Sequence, residues 1–227
     1  KTDLPFGSYY LKELSTDGHY ILSDEKYPIV FDYAGQDTAL VEIKVNNGNP
    51  IGNDLIYGEI HGLKKDEDGN ALGGALIGLF KADCTEFTRE NAILTATSAE
   101  DGGFSFADVP YGNWLVREIK APTGFVLSDE TFAVTVDKDG AVIEVEIENT
   151  RICGTVQLTK VDKDYPDNKL TGAEFTVYRD SNGNKELDAD DELVGTLTET
   201  GIGVYEMADL FYGGYFVKET KAPEGFY

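Results

Sequence analysis

The chain of 227 residues carries 42 acidic and 19 basic side chains, a net charge of −23, 25 glycines, 13 tyrosines and 12 phenylalanines. That length suits about two domains of ordinary size, and the charge excludes nucleic acid and anionic membrane as partners, because phosphate recognition needs a basic footprint. No apolar run is long enough to insert in a membrane, and nothing near Lys1 resembles a signal peptide.

Short runs of aromatic and β-branched residues between glycine-containing turns, with no long stretch at helical spacing, predict an all-β protein. A run ending in a basic residue and a glutamate occurs three times, at Glu13, Glu118 and Glu219, spaced by 105 and 101 residues. A period near one hundred fits an array of small domains, not a solenoid of short units.

Residues 1–47 read as the back half of a domain: the Glu13 strand, a strand over 27–32, and a strand over 39–47 in which Val41, Ile43, Val45 and Asn47 share a face. Residues 48–57 read as a linker. A complete repeat follows over 58–150. It opens with a strand that places Ile60, Gly62 and Lys64 on one face, then a strand over 75–80, a polar loop over 83–100, and a strand from Gly103 leading to Glu118. Trp114, Val116 and Glu118 share a face, so a carboxyl ends a core-facing row. A closing hairpin around Asp137–Gly140 puts Val145, Ile147 and Asn149 on one face. Residues 154–227 restart the cycle with Val156, Leu158 and Lys160 in line, and end just after Glu219, before any closing hairpin.

The complete repeat thus carries a lysine, a glutamate and an asparagine at the ends of core-facing rows, and each is costly to bury alone. Together they make a reaction. Burial drives a lysine down from its usual pKa of about 10.4 and leaves a nucleophilic amine. A carboxyl kept protonated in an apolar pocket polarises the asparagine amide and relays protons. The product is an amide between Lys64 and Asn149, with ammonia released.

At these residues the chain resembles a known family. The pattern Gly-x-Val-x-Leu-x-Lys-x-Asp, then Gly-Ala-x-Phe, then a Lys/Arg-Glu pair followed by Ala-Pro-x-Gly, and a terminal strand ending in Asn, is similar to the collagen-adhesin B-type (CnaB, SpaA-like pilin) domain of Gram-positive surface proteins. That resemblance implies tandem inverse Ig-like sandwiches, each closed by an autocatalytic, single-turnover lysine–asparagine isopeptide bond, in an array that is not an enzyme and requires no cofactor. It makes Glu118 the catalyst for Lys64 and Asn149, Lys160 and Glu219 two members of a third site, and Glu13 and Asn47 two members of a preceding one. The first copy lacks the Ala-Pro-x-Gly tail, and Gly62-Leu63 replaces the usual Leu-Thr before the lysine.

One further stretch carries ligand chemistry. Asp180, Asn182, Asn184, Asp188 and Asp191 fall at positions 1, 3, 5, 9 and 12 of an EF-hand-like loop, with the Glu186 carbonyl at position 7. It reads either as a Ca2+ site or as an acidic, solvated hairpin. Cys84 and Cys153 lie in different repeats without metal-ligand spacing and read as unpaired thiols. The expected role is a stalk on the extracellular bacterial cell surface, anchored in the cell wall of an adhesin or pilin, with neighbouring domains of the array as partners. The alternatives are a module gripping a host matrix protein or glycan, and an accessory array on a secreted carbohydrate-active enzyme.

Overall fold

Alternation of apolar and polar residues decides which strands form here and which face each turns inward. In the computed structural model, which describes residues 4–37 and 41–227, regular structure is almost wholly strand. The strands are β1 (Gly7–Lys12), β2 (Lys26–Phe31), β3 (Tyr57–Asp66), β4 (Leu76–Lys81), β5 (Leu94–Thr97), β6 (Gly103–Pro110), β7 (Gly112–Lys120), β8 (Thr131–Val136) and β9 (Ala141–Asn149). They continue with β10 (Cys153–Thr159), β11 (Glu174–Arg179), β12 (Glu192–Thr196), β13 (Thr198–Gly201), β14 (Val204–Phe211) and β15 (Tyr215–Lys221).

The chain divides into two compact units. The first holds Lys1–Lys64, Gly73–Ile119 and Asp129–Ile147. It contains the antiparallel hairpin β1–β2, with Gly7 opposite Phe31 and Lys12 opposite Lys26, and two sheets ordered β6-β3-β9 and β5-β4-β7-β8. Both sheets feed one core. Ile60, Phe106, Val109 and Ile147 come from one, Ile77, Leu79, Val116 and Val136 from the other. This is the packing of a β sandwich, in which the inward rows of two sheets interdigitate.

The second unit holds Lys65–Leu72, Lys120–Ser128 and Glu148–Tyr227. Its sheets run β10-β14-β13 and β12-β11-β15, and its core gathers Phe175, Val177, Leu197, Tyr205 and Leu210. Tyr205 is buried without penalty because its hydroxyl accepts the Ala173 N–H at 3.0 Å and donates to the Leu170 carbonyl at 3.3 Å.

Each unit has one corner of the same kind. Asp108, inside β6, has φ 51°, and Asp209, inside β14, has φ 58°. Aspartate tolerates this left-handed backbone better than most side chains. Both strands are antiparallel to the opening strand of their sheet, and the pairing shifts register close to each corner.

Two expectations need correction. Within the strand expected over 39–47, residues 38–40 lie outside the described residues, and Val45–Gly48 forms a 3-10 turn, with Asn46 and Asn47 both at φ 54°. Asn-Asn-Gly favours left-handed turns, and this local preference overrides the alternation of Val41, Ile43 and Val45. The polar loop expected over 83–100 contains β5, which pairs with β4 from Leu76↔Thr97 to Leu79↔Leu94.

Candidate functional site

Three polar residues lie on inward-facing rows of strands, as alternation predicts. On β3 the buried positions are Gly58, Ile60, Lys64 and Asp66; on β7, Val116 and Glu118; on β9, Val145, Ile147 and Asn149. Lys64 is 0% exposed, Glu118 2% and Asn149 2%.

The structure brings Lys64 and Glu118 together. Lys64 Nζ lies 3.7 Å from Glu118 Oε1 and donates a hydrogen bond of 3.1 Å to the Ile147 carbonyl. Ile147 belongs to β9, the strand beside β3, and precedes Asn149 by two residues on the same face. Two ionisable groups removed from water at this depth carry a large desolvation cost. Asn149 Nδ2 donates to the Val126 carbonyl at 2.6 Å.

The departure at Gly62 has a packing cause. A Cβ there would lie 2.0 Å from Phe104 Cζ, and Phe104 stands directly opposite Gly62 across the β3–β6 pair. The ring occupies the room a side chain would take.

A cluster that sequence reasoning missed centres on Asp66. The Asp66 carboxylate accepts from the N–H groups of Asp68 at 3.0 Å and Asn70 at 2.8 Å, from Asn70 Nδ2 at 3.1 Å, and from Arg151 Nη2. Arg151 also pairs with Asp68 and stacks 5.8 Å from the Phe211 ring centre. Burial pushes the Asp66 carboxyl up, but the bonds from Asn70, Arg151 and Asp68 outweigh it and hold it down at about 2. The signal was an aspartate two residues after each lysine, Asp66 and Asp162.

The other expected sites are placed differently. Lys160 Nζ and Glu219 Oε2 pair at 2.8 Å, with side chains 25% and 33% exposed. Glu13 Oε2 accepts from the Ser23 N–H at 3.0 Å and from Asn53 Nδ2 at 2.7 Å. Asn47, expected beside Glu13, is exposed in the 3-10 turn; the amide on Glu13 belongs to Asn53. In the 180–191 loop several of the expected ligand oxygens accept from the loop's own donors. Asn182 and Asn184 donate to Asp188 at 3.3 and 2.7 Å, Asp188 N–H donates to Asp191 at 2.9 Å, Lys185 N–H to Asp180 at 3.2 Å, and Glu186 N–H to Asn184 at 2.7 Å. Among the described residues no group of three His, Cys, Asp or Glu side chains is arranged to hold a metal ion, and no helix is long and apolar enough to cross a membrane.

A family model described as SpaA, prealbumin-like fold domain, matches residues 58–151 and 154–227. Among solved structures the chain is similar to the Bacillus anthracis TIE protein, at 28% identity and a TM-score of 0.75, over 97% of this chain and 37% of that one. The chain therefore spans little more than a third of that protein. It also matches a Streptococcal ancillary pilin at 21% identity and a TM-score of 0.39, over 98% of this chain and 68% of the other. The shaft pilin spaA of Lactobacillus rhamnosus GG matches at 15% identity and a TM-score of 0.37, over 74% and 89% of the two chains. No curated protein matches.

Proposed function

The chain belongs to the SpaA prealbumin-like fold domain family, and from that premise we propose that it is a stalk segment of a cell-wall-anchored bacterial adhesin or pilin, in which Lys64 and Asn149 are joined by an amide bond that the protein forms by itself. The observation that carries this reading is the Lys64–Glu118 pair, 3.7 Å apart with neither side chain exposed. A structural ion pair gains nothing from so dry a position that an apolar pair would not give at lower cost. A reacting pair needs it.

The reaction requires a neutral amine and a protonated acid, and one proton passed from Lys64 to Glu118 supplies both. Lys64 Nζ attacks the Asn149 side-chain carbon, Glu118 takes the proton that the attacking nitrogen sheds and delivers one to Nδ2, the C–Nδ2 bond breaks, and ammonia leaves. Each chain performs this once, so no external substrate is turned over. The bond ties β3 to β9, the opening and closing strands of one sheet. Treated as a cross-link between positions 85 residues apart, it removes about 4 to 5 kcal/mol of unfolded-chain entropy. Unlike a disulfide it is indifferent to redox conditions, which suits a surface protein whose Cys84 and Cys153 are both free.

Intact mass tests the reading. The purified chain is expected to weigh one ammonia less than its sequence, and Glu118→Ala to restore the full mass. A wild-type chain of full mass would overturn the proposal.

A further inference from the structure

Three successive acids just past Lys64 all meet one residue. Arg151 donates from Nη2 to Asp66 and from Nη1 to Asp68, and its backbone N–H donates to the Glu67 carboxylate, 3.3 and 3.2 Å from the two oxygens. Arg151 stands two residues past Asn149, as Asp66 stands two past Lys64. The Asp66–Arg151 contact joins positions 85 apart, the same offset that separates the lysine from the asparagine. Asp66 also shares the inward row of β3 with Lys64.

Holding the local turn does not need the arginine. At Asp162, two residues past Lys160, one carboxylate oxygen accepts from the N–H groups of Asp164 at 2.8 Å and Tyr165 at 3.3 Å. Asp66 Oδ1 does the same for Asp68 and Asn70, which leaves Oδ2 to the side chains of Asn70 and Arg151. The two oxygens divide two tasks.

We propose that Asp66 and Arg151 are positioning residues for the amide-forming step, a clamp between β3 and the chain leaving β9 that holds the Asn149 side chain in register with the Lys64 amine. This rests on the reading given for Lys64, Glu118 and Asn149. An amine attacks a carbonyl carbon from about 3–3.5 Å, and a misplacement of about 1 Å costs about a hundredfold in rate. A guanidinium on a carboxylate fixes orientation as well as distance. The pair is mostly dry, with side chains 29% and 4% exposed, so that salt screens it little. From the other side, the Val126 N–H donates to the Thr150 carbonyl at 2.9 Å and the Ile152 N–H to that of Gly124 at 2.8 Å. The asparagine thus sits on a segment gripped from both sides.

The test follows the 227-residue chain as it reacts. Chain made by cell-free translation is quenched in acid at intervals and weighed intact, which reads the rate of ammonia loss. Asp66→Asn keeps an oxygen for the Asp68 and Asn70 N–H groups but sets an NH2 group against the guanidinium. That variant and Arg151→Ala should each slow the loss about tenfold or more. Combined, they should be no slower than the slower single variant, because all three break one contact. Arg151→Lys, which keeps a cation, should recover part of the rate. Tyr205→Phe, which weakens the other core, should react at the wild-type rate, so that positioning is separated from lost stability. Wild-type rates in Asp66→Asn and Arg151→Ala, a double variant slowed by the product of the two, or slowing shared by Tyr205→Phe overturns the clamp alone. A wild-type chain that never loses ammonia retires the Lys64–Asn149 bond, and the clamp with it.

Discussion

Phe104 lies flat against Gly62 on the neighbouring strand, and its ring fills the volume where a side chain at Gly62 would begin. Adding even one methyl there forces the aromatic ring or the strand to move. Gly62→Ala should therefore destabilise the protein by about 1–3 kcal/mol, the usual cost of overpacking a filled core. Chemical denaturation would show it as a lower midpoint at unchanged slope, and Gly62→Ala combined with Phe104→Leu should recover part of the loss.

The buried pair makes a second prediction. Lys64→Met leaves the Glu118 carboxyl in the core without its amine, a change of the class that costs about 3–5 kcal/mol, in addition to the loss of the cross-link, which the double variant below lacks as well. Replacing both, as Lys64→Met with Glu118→Leu, removes the stranded group. The double variant should be more stable than Lys64→Met alone, measured by denaturant titration. If the two changes simply add, the partners do not interact and the site is misread.

Asp66 gives the chain an acid-sensitive clasp. Its carboxyl is held down at about 2 in the folded protein, against an ordinary value of 3.8. A carboxyl whose folded value is depressed contributes stability that is fully present above the unfolded value and fades as pH falls through the folded one. Between pH 5 and pH 2, wild-type stability should thus decline more steeply than that of Asp66→Asn. Arg151→Ala removes one of the donors and should narrow the difference between the two curves. Parallel curves would show that Asp66 is not the group responsible.

Tyr205 tests the second core. Removing its hydroxyl in Tyr205→Phe leaves the Ala173 N–H without the 3.0 Å bond it donates, at an expected cost of about 1–3 kcal/mol. The melting temperature should fall with the strand spectrum unchanged.

Much of this arrangement was legible because strand alternation is strict. Counting by twos along β3, β7 and β9 places Lys64, Glu118 and Asn149 on inward faces, and their burial agrees. The same count failed at Asn47, since Val41, Ile43 and Val45 alternate just as Val145 and Ile147 do, while Asn46-Asn47-Gly48 prefers a left-handed turn that ends the row early. The amide that meets Glu13 belongs to Asn53 instead. Strand β5 escaped notice because it is only four residues long and mostly exposed, so that an edge strand reads like a loop. The Asp66–Arg151 contact joins positions 85 apart and leaves no periodic trace in the chain.

The left-handed aspartates have a consequence for how such a centre is lost. Asp108 and Asp209 stand ten residues before Glu118 and Glu219, so each sets the phase from which its glutamate is counted. Since a shift of one position turns every following side chain to the opposite face, a single inserted codon between corner and glutamate would aim the acid at solvent. The sandwich would still assemble, with its acid turned away from the lysine.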